Sequence, residues 1–230
     1  MNFQVVVDNL EYLLCGAYPD GPLGGAALTV LLSIGSAVAS AIIGLALGIA
    51  LSLSCGRFFT LLTFSLGFFR AIPVLMLIFW TYFLLPIAFK VDVPGVFSVM
   101  CALSLIGGAY LAHSVHAGIA GIAKGQWDAG LSLGMSRSGV LRHVILPQAL
   151  RMMLPSFINQ WIALIKDTSL AYIVGVGELS FVSAQVNSRT MIYSAEIFIF
   201  IGAIYFVLCS GLDVVASQVA RRWPMVPAAA

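Results

Sequence analysis

The sequence predicts an all-helical integral membrane protein of about five transmembrane helices, over residues 25–54, 60–86, 95–122, 148–173 and 193–219. Three observations predict it. Hydrophobic residues make up 61% of the 230-residue chain and charged residues only 9%, whereas a water-soluble domain carries about 25% charge. The apolar runs are long enough, because a spanning helix takes about 20 mostly apolar residues. A single polar block, GQWDAGLSLGMSRSGVLRHVILPQAL from Gly125 to Leu150, interrupts them. The net charge of +2 is too small for a nucleic-acid footprint.

Residues 1–24 hold Asp8, Glu11 and Asp20 but no Lys or Arg, and are expected outside the membrane. No basic residue precedes Arg57, so the pattern of a charged leader peptide is not expected. The first span is rich in small residues (Gly35, Ser36, Ala39, Ser40, Gly44, Gly48), which let helices approach closely in lipid. Residues 25–222 are expected to form one membrane domain with its polar loop at 124–147, and 223–230 a tail. Cys15, Cys55, Cys101 and Cys209 are scattered singly, with no metal-ligand spacing, and are expected as small buried apolar residues.

Orientation follows the excess of Lys and Arg on cytoplasmic loops. With the N-terminus outside, Arg57, Lys124, Arg137, Arg142, Arg151, Arg221 and Arg222 fall inside, and only Lys90 and Arg189 outside. The polar block is then cytoplasmic. Within it, Gln126 to Met135 can form a short helix, with Asp128 in a first turn that favours an acid. Gly134 and Ser136 end it, and Leu146-Pro147 opens the next helix. Such a helix is either a knob for a partner's groove or a plain surface loop.

The block resembles the "EAA" loop of ABC importer permeases. Asp128-Ala129-Gly130 stands at the Glu-Ala-Ala, Gly134 at its glycine, and Val144-Ile145-Leu146-Pro147 at its closing hydrophobic-x-Leu-Pro. Asp for Glu and Gly130 for Ala are departures, the second weakening a helix by about 1 kcal/mol. Phe69-Arg70-Ala71-Ile72-Pro73, Gly125-Gln126, Leu146-Pro147-Gln148-Ala149, Lys166-Asp167-Thr168-Ser169-Leu170 and Gly177-Glu178-Leu179 are similar to motifs of the polar amino-acid permeases (histidine, glutamine, glutamate/aspartate). Ile72-Pro73 with Trp80 and Tyr82 leans toward the glutamate/aspartate type.

The resemblance implies a type I ABC importer permease fold with a cytoplasmic coupling helix at 126–136, in a bacterial inner membrane. It implies coupling to an ATPase through Gln126, Asp128, Ala129, Gly130, Gly134, Leu146 and Pro147. Implied partners are a dimer of ATP-binding subunits, a second permease (the same chain or a homologue), a periplasmic or surface-tethered solute-binding protein and an amino acid. This chain lacks a GxxxxGK[ST] loop, so ATP and Mg are expected on the partner ATPase and no cofactor here. No Ser/His/Asp or paired-carboxylate constellation suggests a catalytic residue. A stand-alone secondary transporter is the alternative outside the family.

Charged groups in spans mark functional candidates. Arg70 can hold a carboxylate bidentately or pair structurally. Lys166 and Asp167 lie about 30 Å along a straight helix from Pro147 and, with Thr168, can meet an amino acid's two ends or cap a broken helix. Glu196 and Asp213 are expected as interfacial charges near the ends of the last span. Where family members carry Tyr-x-x-Glu-x-x-Arg, this chain has Tyr110, His113 and His116. The two histidines share a helix face, as pathway groups or as packed hydrogen-bonded residues. A neutral His113 would hold an ammonium less well than Glu, so this subunit is alternatively the non-binding half of a mixed pair in an importer for another small polar solute. Two ligands fall short of a metal site.

Overall fold

The computed structural model describes residues 3–90 and 93–222, with side chains to Gln218. Asp92 and the tail at 223–230 lie outside the described residues, and so do the side chains of Arg221 and Arg222. The described chain is helical, with two isolated β-bridges, Gly16–Leu23 and Gly25–Glu178. Two short helices, α1 (Gln4–Asp8) and α2 (Leu10–Cys15), occupy the N-terminal segment, where the sequence reading placed no element. They pack through Val5, Val6 and Leu13 on the last two helices of the chain.

The first span is α3 (Gly25–Leu53). The expected span at 60–86 is broken. Helix α4 (Gly56–Ala71) ends at Ile72-Pro73, and α5 (Val74–Phe79) continues through a π turn (Trp80–Leu84) into α6 (Leu85–Phe89), bent by 100° from α4. Pro73 excludes Ile72 from helical backbone, and Ile72 is extended at φ −79°, ψ 134°. Helix α7 (Gly95–Ala120) follows. The polar block forms α8 (Lys124–Ser132), α9 (Arg137–Val140) and a π turn (Leu141–Ile145), leading into α10 (Leu146–Asp167). A 3-10 segment, Thr168–Val174, precedes α11 (Leu179–Thr190) and α12 (Ser194–Arg222).

Three helices, α3, α7 and α12, are long and apolar enough to cross a membrane, and the bent α4–α6 pair supplies a fourth span if counted as one. Helix α10 has the length, but Gln148, Arg151, Asn159, Gln160, Lys166 and Asp167 make it more polar. The outward surface is apolar, as lipid demands: Ile34, Val38 and Ile42 on α3, Phe64 on α4 and Phe206 on α12 are exposed.

Helix α7 is the centre of the bundle. It runs parallel to α3, with Gly44 against Leu111 and Gly48 against Val115. A methyl group on either glycine would come within 2.4 Å of the opposing Cβ, so the small residues of α3 set the approach. Helix α10 runs antiparallel to α7: Gly118 lies on Met153 and Gly107 on Leu164, eleven residues apart on each helix. The bundle therefore has one end that carries α8 and a far end where α3 and α7 begin. Contrary to expectation, Cys55 and Cys101 are exposed, while Cys15 and Cys209 are half-buried. Glu196 lies in the first turn of α12 and is buried, and Asp213 is exposed.

Candidate functional site

The α8 block is held by packing, by its caps and by one side-chain bridge. Helix α8 starts at Lys124, two residues earlier than expected, so Asp128 stands in its second turn and no acid occupies the first. The helix ends at Ser132 in a Schellman motif. Gly134 N–H donates to Leu131 O at 3.0 Å and Met135 N–H to Gly130 O at 3.2 Å, with Gly134 left-handed at φ +78°, the conformation this cap requires. Ser136 caps α9, its hydroxyl accepting from Gly139 N–H at 3.2 Å.

Gly130 is buried, and a Cβ there would lie 2.7 Å from Val140 Cγ2. The glycine that departs from the family's second alanine is thus the contact that seats α8 on α9. At the other edge, Gln148 Nε2 donates to Gln126 Oε1 at 3.3 Å and to Val144 O at 2.8 Å. This bridge joins the first residues of α8 to the first turn of α10, where Leu146 is half-buried and Pro147 exposed. Arg137 stacks over Trp127, 6.0 Å from the ring centroid. Asp128, Ala129, Leu131 and Leu133 are exposed, Leu133 at 82%. Leucines beside an exposed acid, on a helix fixed from behind, form a surface able to enter a groove.

The pathway candidates separate into two groups. Arg70, at the last turn of α4, lies over the Tyr110 ring at 5.1 Å, and the Tyr110 hydroxyl donates to Arg70 O at 3.4 Å. His113 follows one turn later on α7, with Arg70 and His116 as its charged and titratable neighbours and its buried Nε2 without a partner. His116 Nδ1 meets Ser52 Oγ at 3.1 Å, and its ring lies 5.9 Å from Phe59. Arg70, His113 and His116 therefore form one cationic and imidazole group between α4 and α7.

Lys166, Asp167 and Thr168 lie elsewhere. They occupy the junction of α10 and the 3-10 segment, where the Thr168 hydroxyl donates to Ile165 O at 2.7 Å and Ser169 to Lys166 O at 2.7 Å. By the antiparallel register, Asp167 is level with Ser104, some nine residues or about 13 Å along α7 from His113. Thr168 is fully buried and Lys166 is exposed.

One buried group lies outside the site residues that the sequence suggests. Glu178 is 0% exposed and caps α11, accepting from Ser180 N–H at 2.9 Å and Phe181 N–H at 3.0 Å. The signal was present, because an acid ahead of a helix start suits its dipole. Among the described residues no three His, Cys, Asp or Glu side chains gather as metal ligands.

Residues 42–223 match the family model described as "Binding-protein-dependent transport system inner membrane component". The chain is 38% identical over 153 residues to the L-cystine transport system permease protein TcyB of Bacillus subtilis, covering 66% of this chain and 65% of that one. It thus spans just under two thirds of that relative's length. It is 33% identical over 162 residues to the glutamate/aspartate import permease protein GltK of Escherichia coli, covering 67% and 71%. A solved structure described as an amino acid ABC transporter with histidines superposes with a TM-score of 0.82 at 25% identity, covering 96% of this chain and 99% of that one.

Proposed function

Because the chain belongs to the family of binding-protein-dependent transport system inner membrane components, we propose that it is the membrane subunit of an ATP-driven amino-acid importer. The observation that carries this reading is the α8 block. Its helix is capped, seated on Val140 and bridged to α10, yet presents Asp128, Ala129, Leu131 and Leu133 outward. These features support a docking role toward a partner ATPase. The charge bias puts the block in the cytoplasm and residues 1–24 on the outer side of a bacterial inner membrane.

The working assembly is a pair of permeases, a pair of ATPase subunits carrying ATP and Mg, and an external binding protein. The substrate is a polar or acidic amino acid, in keeping with relatives named for cystine and glutamate/aspartate. Arg70, His113 and His116 supply one station of the pathway, and Lys166, Asp167 and Thr168 a second, at a level about 13 Å further along α7. A second reading, that this subunit is the half of a mixed pair that does not hold the substrate, is favoured by one observation. Among the described residues His113 has Arg70 and His116, and no acid that could hold an ammonium, as its charged and titratable neighbours.

The test is uptake into proteoliposomes holding the chain with its ATPase and permease partners. Uptake is expected to require both ATP and the binding protein, and Asp128→Lys should leave ATP hydrolysis running without uptake. Transport by the chain alone on an ion gradient would refute the proposal. In the same assay, unchanged rate and substrate range in His113→Ala would favour the non-binding half.

A further inference from the structure

The proposed cycle leaves one buried carboxylate unused, at the end of the bundle opposite α8. Both oxygens of Glu178 are engaged. Oε1 accepts from Phe181 N–H, and Oε2 accepts from Ser180 N–H, from the Tyr205 hydroxyl at 3.1 Å and from the Thr29 hydroxyl at 3.4 Å. One side chain thus joins α3, α11 and α12. Backbone contacts surround the same point: Gly25 N–H donates to Gly177 O at 2.9 Å, and Leu179 N–H donates to Thr29 Oγ1 at 3.1 Å. Tyr205 also meets the Ser180 hydroxyl at 3.2 Å and interacts with Thr168, the first residue beyond the α10 break.

A buried carboxylate without a cation is costly, and a hydroxyl or amide would cap α11 equally well. Among the described residues no Lys or Arg pairs with Glu178. The charged and titratable groups on the elements around it are Arg151 near the start of α10 and Lys166 and Asp167 at its end, Tyr172 on the 3-10 segment, Arg189 on α11, Tyr193 before α12, Glu196, Tyr205, Cys209 and Asp213 on α12 up to Gln218, and Glu11, Tyr12 and Cys15 on α2, whereas α3 has none. Its four partners are neutral donors, and two of them can reverse. Thr29 can turn its hydrogen to Gly25 O at 3.3 Å, and Tyr205 can turn to Ser180 Oγ. Either hydroxyl oxygen can then accept from a protonated Glu178, Thr29 Oγ1 as a second acceptance beside Leu179 N–H, so the carboxyl keeps partners in both protonation states while the pattern of donors changes. Burial raises the Glu178 carboxyl to about 7, against the pull of the four donors.

We propose that Glu178 is a positioning residue for transport. It pins α3, α11 and α12 around the 3-10 segment Thr168–Val174 and, through Tyr205, holds the Asp167–Thr168 break in its place. The proposal rests on the transporter reading above. It is tested in the full reconstituted complex by ATP-driven uptake of L-glutamate, L-glutamine and L-cystine from pH 5.5 to 8.5. Hydrogen exchange over residues 168–181 is measured in parallel on the purified protein.

Glu178→Gln keeps the size of the side chain and one acceptor. It is expected to lower uptake about tenfold, the scale of one lost charge-assisted hydrogen bond. It is also expected to flatten the pH profile and to speed exchange over 168–181. If that variant does not fold, Tyr205→Phe, which removes one hydroxyl, should show a smaller loss with the same faster exchange. Wild-type uptake, pH profile and exchange in the variant that folds would overturn the pin. If wild type takes up nothing with ATP, the transporter reading fails instead. Exchange over 168–181 then decides the pin alone: faster in the variant supports it, unchanged overturns it.

Discussion

At the residue scale, Gly130 shows how a substitution that looks costly in sequence is required in space. Alanine would improve helix propensity by about 1 kcal/mol, yet its methyl would meet Val140 Cγ2 at 2.7 Å. A branched Val cannot swing away as a long side chain can, and overpacking of this kind costs about 1–3 kcal/mol. Gly130→Ala is therefore expected to lower the thermal midpoint, and Gly130→Ala with Val140→Ala to recover at least part of the loss. An additive pair in this double-mutant cycle would count against the contact. Gly134 was readable from its spacing, since a helix stop favours a left-handed glycine. Glu178 was readable only as part of a motif. Its burial depends on Thr29 and Tyr205, residues 149 and 27 positions away, and one sequence does not reveal such partners.

At the scale of elements, α3, α7 and α12 were legible because each is a long apolar run, and their ends differ from the expected ones by only a few residues. The broken span was not read, although Pro73 carried the signal: the residue before a proline leaves the helix. Helix α11 was missed because Ser, Asn, Gln and Arg dilute its apolar pattern to a few buried positions (Leu179, Val182, Val186). The α3–α7 contact shows why the small residues matter beyond composition. Gly48→Leu would drive a side chain into Val115 and the Ala112 carbonyl, and is expected to cost about 1–3 kcal/mol or more. Gly67 on α4 has nothing within 4 Å of its missing Cβ, so Gly67→Leu should be close to neutral. Thermal midpoints in detergent, read by size-exclusion chromatography, compare the two. Equal midpoints would contradict close packing of α3 on α7.

At the scale of the whole molecule, Glu178 links stability to pH. Its folded pKa of about 7 lies above its usual 4.5, so between these values the folded chain holds more protons than the unfolded one. The contribution is fully present below about 4.5 and is lost as pH rises through about 7. The difference in thermal midpoint between wild type and Glu178→Gln should therefore shift against wild type from pH 5 to pH 8. A pH-independent difference would show that the carboxyl does not titrate differently on folding. The bridge from Gln126 to Gln148 has a larger mechanical meaning. Helix α10 is 22 residues long, a rod of about 33 Å, tied to α8 at its first turn and ending at Asp167. A partner that displaces α8 pulls one end of that rod, and the far end must follow unless Pro155 yields, because Pro155 interrupts the helix's own hydrogen-bond ladder. If α8 takes a partner's stroke, as proposed, α10 is the crankshaft, and the stiffness of one helix decides how much of each stroke arrives at Asp167.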